Sequence, residues 1–452
     1  MARTVAAIST AQGVGGISVI RISGDDAISI ADKCFKAFSG KTLSEHKGYE
    51  AAYGEIVSDE GVIDDGVALV FRAPKSYTGE DTVELSLHGG TLVTKNALRA
   101  VLNCGAALAE GGEFTKRAFL NGKLDLAKAE SVAEIIRARN DCALKISRLG
   151  RQGKISAEIE EICDRLLQTA ASLAAYSDFP DEDIEDLTFD NFLSLLNVCE
   201  ERTKKLLDSY DLGRVLREGI DCAIVGKPNV GKSTLMNMLS KSKRSIVTEI
   251  AGTTRDIIEN TVNIGDITLN IADTAGIHST EDTVEKEGIK LALERLDSSA
   301  LILCLFDLSK EADKDDLMLI DMLKDKTAVV ILNKNDLAQK FDVTLVSHLN
   351  TVSISAKDES EFELLSEKIV RAVVKGNLDT NDAVLISERQ RDCARRAYTA
   401  IIEAKSSLLS GVTLDAVGVC VDDAIAALLE LCGKRVTNEV CDEVFRRFCI
   451  GK

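Results

Sequence analysis

The chain has 452 residues, 45% of them apolar, 28% charged and only 4% aromatic, with no tryptophan and a formal net charge of −18. That length calls for about two to four domains, with cores built from Leu, Ile, Val and Ala. The acidity excludes a broadly basic surface for diffuse nucleic-acid binding, though it leaves room for a local basic patch.

The first ten residues, MARTVAAIST, lack the long apolar run of a leader. No later stretch reaches the roughly eighteen apolar residues of a membrane span, so a cytoplasmic location away from membranes is expected. Residues 1–120 alternate short strands with Gly-rich turns. Strands are predicted over residues 4–8, 17–22, 66–71 and 82–87, and helices over 27–38 and 91–102. The turn Gly13-Val14-Gly15-Gly16 lacks a following Lys-Ser pair and reads as a plain turn. Together these elements predict a compact α+β domain. From 124 to 175 the pattern becomes helical: Leu126, Ala129, Val132 and Ile136 share a face, and the apolar series continues through Ile146 and Leu149 without a proline. An acidic stretch, Ser177-Asp178-Phe179-Pro180-Asp181-Glu182-Asp183, then breaks the pattern. Pro180 disfavours helix at Phe179. The carboxylates lack calcium-loop spacing, so a solvated interhelical loop is expected. Helix resumes over residues 191–212.

Residues 226–234 read GKPNVGKST and match G-x-x-x-x-G-K-[ST] through Gly226, Gly231, Lys232 and Ser233. An apolar strand (222–225) precedes the stretch and a helical run (235–239) follows, the context that this motif requires. Glycines let successive N–H groups face a phosphate chain, and the helix N-terminus adds positive potential. Lys232 supplies charge for the β- and γ-phosphates and Ser233 a hydroxyl for Mg²⁺. Asp273-Thr274-Ala275-Gly276 ends a second strand (267–272). There an aspartate can hold Mg²⁺ through water, and the Gly276 N–H can meet the γ-phosphate. Asn333-Lys334-Asn335-Asp336 ends a third (327–332), where Asp336 can accept guanine N1–H and the 2-amino group, a donor pair that adenine lacks. Ser355-Ala356-Lys357 ends a fourth (351–354). Ligands of open α/β sheets bind at such carboxyl ends, and the four motifs resemble a Ras-like GTPase domain. Ile277 stands where Ras-type enzymes carry a water-orienting Gln. Helical patterns return over 384–409, 414–431 and from 438 onward. The expected organisation is therefore an N-terminal domain (1–120) and a helical domain in two halves (121–213 and 379–452), with a P-loop GTPase domain (214–378) inserted between them. The twelve cysteines include no C-x-x-C pair and are expected to be reduced core thiols.

This architecture is similar to the MnmE (TrmE) family of tRNA-modification GTPases. The strings that carry the resemblance are Ile20-Arg21-Ile22-Ser23-Gly24, Tyr77-Thr78-Gly79-Glu80-Asp81, His88-Gly89-Gly90, Gly112-Glu113-Phe114, Arg117 through Asp125, Asp178 through Glu182, Gly252-Thr253-Thr254-Arg255-Asp256, and the terminal Cys449-Ile450-Gly451-Lys452. The resemblance spans the whole chain. It implies a homodimer that works with the flavoprotein MnmG in a heterotetramer, adding an aminomethyl or carboxymethylaminomethyl group to C5 of the tRNA wobble uridine. It implies a 5-formyl- or methylene-tetrahydrofolate bound by the N-terminal, dimerising domain, with contacts that map onto Arg21, Glu84, Lys123 and Lys452. A carboxylate suits the pterin donors, and Arg and Lys suit the tail carboxylates. Cys449 is a candidate functional thiol; the competing reading is a small apolar residue buried on a last helix.

The resemblance also implies Glu285 as the residue that orients the attacking water, through a bridging water. It implies a K⁺ ion, in place of an arginine finger, held by Asn229, Thr248, Ile250 and Thr253 when two GTPase domains meet. Thr254 would join Ser233 on Mg²⁺. The implied nucleotide site comprises Asn229, Val230, Gly231, Lys232, Ser233 and Thr234, the stretch Thr248, Glu249, Ile250, Ala251, Gly252, Thr253 and Thr254, and the three later motifs. Fold alone permits an alternative, a ribosome-assembly or regulatory GTPase whose flanking domains only dock. Tetrahydrofolate binding discriminates between the two. The acidity fits an RNA contact made mainly through a basic partner.

Overall fold

The computed structural model describes residues 3–11, 13–178, 189–241, 259–265, 267–272, 299–373, 382–446 and 448–452. It divides into two compact units: residues 1–133, 150–204 and 387–452 form one, and residues 134–149 and 205–386 the other.

In the first unit a seven-stranded sheet has the order β3-β4-β5-β6-β2-β1-β7. Its strands are β1 (Val5–Ile8), β2 (Ile17–Ser23), β3 (Phe35–Ala37), β4 (Glu50–Ser58), β5 (Gly61–Phe71), β6 (Thr82–His88) and β7 (Ala107–Leu108). All pairings are antiparallel except β1 with β7. Alternate residues face one side, where Ile20, Ile22, Ala68, Val70, Val83 and Leu85 are buried with Ile28, Ile30, Ala97 and Val101 of the helices Ala27–Cys34 and Thr91–Asn103. The helix expected over residues 27–38 stops at Cys34. Phe35 turns to extended backbone, is buried in the same core, and its strand pairs with β4, which satisfies its backbone groups. Strand β4 was not expected from the sequence. Its sequence, EAAYGEIVS, mixes small, charged and apolar residues, and Gly54 admits a close approach: a Cβ there would lie 2.1 Å from the Lys36 carbonyl oxygen.

The helical run expected over residues 124–175 is three helices, Leu126–Arg137, Asp141–Arg151 and Lys154–Asp178. Asn140 caps the second, its Oδ1 accepting from Ala143 N at 2.7 Å, and Gly153, with φ of 91°, precedes the third. Part of the acidic stretch, residues 179–183, lies outside the described residues. In the first unit, buried Glu130 accepts from Arg389 Nε at 3.0 Å and Nη2 at 2.8 Å, from Ser387 Oγ at 3.0 Å and from Gln390 Nε2 at 2.6 Å. These bonds tie the helix Leu126–Arg137 to the start of Glu388–Leu409. That second helix begins four residues later than expected, where Ser387 Oγ accepts from Gln390 N. Residues 384–386 are instead buried in the second unit.

The second unit holds a six-stranded sheet in the order β13-β12-β11-β8-β10-β9. Its strands are β8 (Ile220–Val225), β9 (Glu259–Ile264), β10 (Ile267–Ala272), β11 (Leu301–Asp307), β12 (Ala328–Asn333) and β13 (Thr351–Ile354). Only β9–β10 is antiparallel. Every residue of β11 is buried, as a strand covered on both faces requires. β8 lies between β11 and β10, so the chain reverses direction across the sheet at its carboxyl end. Such a switch point opens a crevice for a ligand.

Candidate functional site

Gly226 leaves β8 with φ of 151°, Asn229 has φ of 63° and Gly231 φ of 107°; the helix Lys232–Lys241 then begins. A Cβ at Gly226 would stand 2.6 Å from the Leu305 carbonyl oxygen, and one at Gly231 2.2 Å from Asn333 Nδ2. The glycines of the motif are thus demanded by both conformation and space. Asn333, 3% exposed, is the hub. Its Nδ2 donates to the Val230 carbonyl at 2.7 Å, and its Oδ1 accepts from Lys334 N and Ala356 N, both at 2.9 Å. One amide therefore joins the phosphate-side loop to the motifs after β12 and β13.

Lys232 Nζ donates to the carbonyls of Gly226 (2.6 Å) and Lys227 (2.8 Å), and burial pushes its ammonium down from the ordinary value. Desolvated charge of this kind interacts strongly with an anion brought beside it. Lys227 is held from the side by Asp313 (2.5 Å) and buried Asp316 (2.7 Å). Burial opposes its charge, yet the two carboxylates keep its ammonium above the ordinary value. Lys334, with φ of 68°, donates to the Asn229 carbonyl at 3.0 Å and to Asp307 at 2.6 Å. Burial alone would raise the Asp307 carboxyl, but bonds from Lys334 and Ser309 hold it below the usual carboxylate range. Asp307, Asp313 and Asp316 were not singled out from the sequence. The position of Asp307 at the carboxyl end of β11 is the signal that could have found it. Asn229, Ser233, Asp336 and Lys357 are exposed along this rim, Thr234 is half-buried, and Ser355 and Ala356 are buried beneath it. Thr248, Glu249, Ile250, Ala251, Gly252, Thr253, Thr254, Asp273, Thr274, Ala275, Gly276 and Glu285 lie outside the described residues.

A second cluster forms in the other unit. Strand register sets Arg21 opposite Glu84, and the guanidinium pairs with the carboxylate at 2.9 Å and 2.7 Å. Its carbon sits 5.6 Å from the Tyr77 ring centroid and 5.5 Å from that of Phe114. The Tyr77 hydroxyl shares a 3.0 Å hydrogen bond with Thr115 Oγ1, and buried Arg117 bonds both Glu80 and Glu113, fixing the loop that carries Tyr77. The last residues dock here. Gly112 N donates to the Cys449 carbonyl (3.3 Å), Phe114 N to that of Lys452 (3.2 Å), and Ser9 Oγ to that of Gly451 (3.0 Å). Gly451 has φ of 96°, and a Cβ on it would lie 2.1 Å from the Ile8 carbonyl oxygen. Burial, then the positive charges of Arg21 and Arg151, push the Lys452 ammonium down. Arg21, Glu84 and Lys452 are brought together. Lys123 is not joined to them by a hydrogen bond; its Nζ donates to the Pro74 carbonyl at 3.0 Å. Cys449 is exposed and lies beyond the helix Asn438–Arg446, which removes the reading of a buried helical residue. Nine other cysteines are buried, and burial pushes Cys222, Cys304 and Cys432 up to about 12. Such thiols are inert at neutral pH.

Residues 126–449 match the family model described as the MnmE helical domain, and residues 4–123 match that of the GTP-binding protein TrmE N-terminus. The chain is 40% identical over 454 residues to the tRNA modification GTPase MnmE of Clostridioides difficile (strain 630), covering 99% of both chains. It is 41% identical over 453 residues to that of Geobacter sulfurreducens, again with 99% coverage of both. Among solved structures, the G domain of the T. maritima FeoB iron transporter aligns at 25% identity over 34% of this chain and 99% of that one; its TM-score of 0.26 adds nothing to the assignment. Two family models that together span the chain, and identity of this order over its full length, show that it belongs to the MnmE (TrmE) family of tRNA modification GTPases.

Proposed function

We propose that this GTPase is the nucleotide-driven component of a complex that adds an aminomethyl or carboxymethylaminomethyl group to C5 of the tRNA wobble uridine. It acts in the cytoplasm as a homodimer with the flavoprotein MnmG, through which most of the tRNA contact is made. No described helix is long and apolar enough to cross a membrane. The observation that carries the nucleotide reading is buried Asn333, which fixes the spacing between the Val230 carbonyl on the phosphate side and Ala356 on the base side. Lys232 meets the β- and γ-phosphates, Asp336 accepts from guanine, and Ser233 with Thr254 holds Mg²⁺. Asn229, Thr248, Ile250 and Thr253 hold K⁺ when two GTPase domains meet, and Glu285 orients the attacking water through a second water. A monovalent cation supplies the charge that an arginine finger would.

The cluster of Arg21, Glu84 and Lys452 suits a tetrahydrofolate derivative, 5-formyl or methylene. Partly desolvated charges of both signs beside aromatic rings match a flat donor-rich ring and an anionic tail. When bound, that group supplies the one-carbon unit. Lys123 belongs to this site only if the Pro74 loop approaches the other three residues.

The test is GTP hydrolysis in K⁺ against Na⁺ at equal ionic strength, with wild type beside Asn229→Ala and Glu285→Ala. Strong stimulation by K⁺ is expected, reduced in the first variant, with little turnover in the second. Equal rates in both salts overturn the cation assignment. A parallel titration with 5-formyl-tetrahydrofolate tests the second cluster; no binding by wild type favours the docking switch.

A further inference from the structure

We infer that Glu361 is a positioning residue for guanine recognition, clamping the loop that carries Asp336 to the loop that carries Ser355 and Ala356. This rests on the reading of Asp336 as the base-recognising carboxylate. Strands β12 and β13 run parallel with Asn333 beside Ile354, so the segments that follow them emerge side by side. The half-buried Glu361 carboxylate accepts from Asn335 Nδ2 at 3.1 and 3.2 Å and from Ser355 N at 2.7 Å. Its own turn aims it backward. Asp358 N donates to the Ser355 carbonyl at 2.9 Å, and Asp358 Oδ1 accepts from Ser360 N at 2.9 Å and Ser360 Oγ at 2.7 Å. A carboxylate is needed because three N–H···O contacts converge on two acceptor oxygens, whereas a glutamine offers one.

Asn333 and Glu361 therefore anchor the same loop through adjacent amides, Ala356 N and Ser355 N. Asn333 also holds the phosphate-side loop. Among the described residues, the hydrogen bonds of the Glu361 carboxylate go only to the base side. Its loss is expected to blur recognition of the base while leaving the phosphate contacts and the chemical step in place.

The experiment uses the full-length protein and measures Kd for GDP and for IDP, whose base lacks the 2-amino group, by competition with a fluorescent GDP. The variants are E361A, E361Q, N335A, the double variant E361A/N335A, and D336N. E361A is expected to lower the preference for GDP over IDP by about tenfold and to raise the KM for GTP in step, with kcat at saturation within about twofold of wild type. E361Q should retain part of the preference. N335A should have a smaller effect that nearly vanishes in the E361A background, since the two groups share one contact. An unchanged GDP-to-IDP ratio in E361A and E361Q, with a collapsed ratio in D336N, overturns the role of Glu361 alone. An unchanged ratio in D336N overturns the base-recognition reading beneath it. Should E361A not fold, E361Q and N335A carry the same test.

Discussion

The phosphate-side loop and the C-terminal tetrapeptide both run where no Cβ would fit, Gly231 against the Asn333 side chain and Gly451 against the Ile8 carbonyl. They differ in reach. The loop grows out of its own strand and starts its own helix, and its more distant holds, from Asn333 and Lys334 at the end of β12, span 103 and 105 positions. The tetrapeptide is held by residues more than 300 positions away, with a span of 442 between Ser9 and Gly451. Closing so long a connection costs conformational entropy that only a finished scaffold offsets. The loop therefore depends on its own strand and helix and on the end of β12, whereas the tail depends on elements from the opposite end of the chain.

That contrast can be broken most forcefully at Glu130, whose carboxylate joins segments more than 250 positions apart. Glu130→Ala leaves the Arg389 guanidinium without its ion-pair partner. It is expected to cost about 3–5 kcal/mol of stability, read from denaturant unfolding, and to reduce tetrahydrofolate binding more than nucleotide binding. An equal loss at both sites would dissolve the distinction. Next comes Lys232→Ala, expected to weaken GTP binding about a hundredfold while sparing the tetrahydrofolate titration. Calorimetry with each ligand on the same preparation decides it. Gly451→Ala should cost about 1–3 kcal/mol through overpacking at the Ile8 carbonyl. It should weaken 5-formyl-tetrahydrofolate binding and leave GDP binding alone; a melting curve identical to wild type would show that the docked tail bears no strain.

The smallest effect concerns pH. His88 Nδ1 lies 2.8 Å from Asp64 Oδ1, and the hydrogen bond and charge of Asp64 raise the His88 pKa. Burial would raise the Asp64 carboxyl, but its bonds from His88 bring it below the usual value. The stability contributed through His88 is fully present below its ordinary pKa of about 6.5 and is lost as pH rises through the raised folded value. The contribution of Asp64 runs the other way, present above its ordinary value and lost as pH falls through the lowered one. An NMR titration should place His88 above about 6.5 in wild type and return it there in Asp64→Asn. A wild-type midpoint below that value counts against the pair.

How much could be read in advance follows the same division. Strands 267–272 and 351–354 have the predicted bounds, because each alternates apolar with polar residues and runs straight into a recognisable motif. Lys232 and Asn333 were found because their motif is contiguous. Arg21, Glu84 and Lys452 carried no local signal. They meet only through the pairing of β2 with β6 and the docking of the tail, so only family resemblance pointed to them. Glu361 and Asp307 were missed because their partners are loop amides and a lysine brought near by the sheet. The helix over residues 27–38 was overextended because helical periodicity does not register that Phe35 can join an edge strand.

The docked tail also sets a schedule for synthesis. Gly111 and Gly112 leave the ribosome more than 300 residues before Ile450 and Cys449, their bridge and hydrogen-bond partners, are made. At about 5–20 residues per second, this delay is on the order of tens of seconds. During that interval the nascent N-terminal sheet can form while the second cluster lacks its lysine. Completion of the Arg21, Glu84 and Lys452 cluster is thereby deferred until translation has passed the whole nucleotide-binding insert.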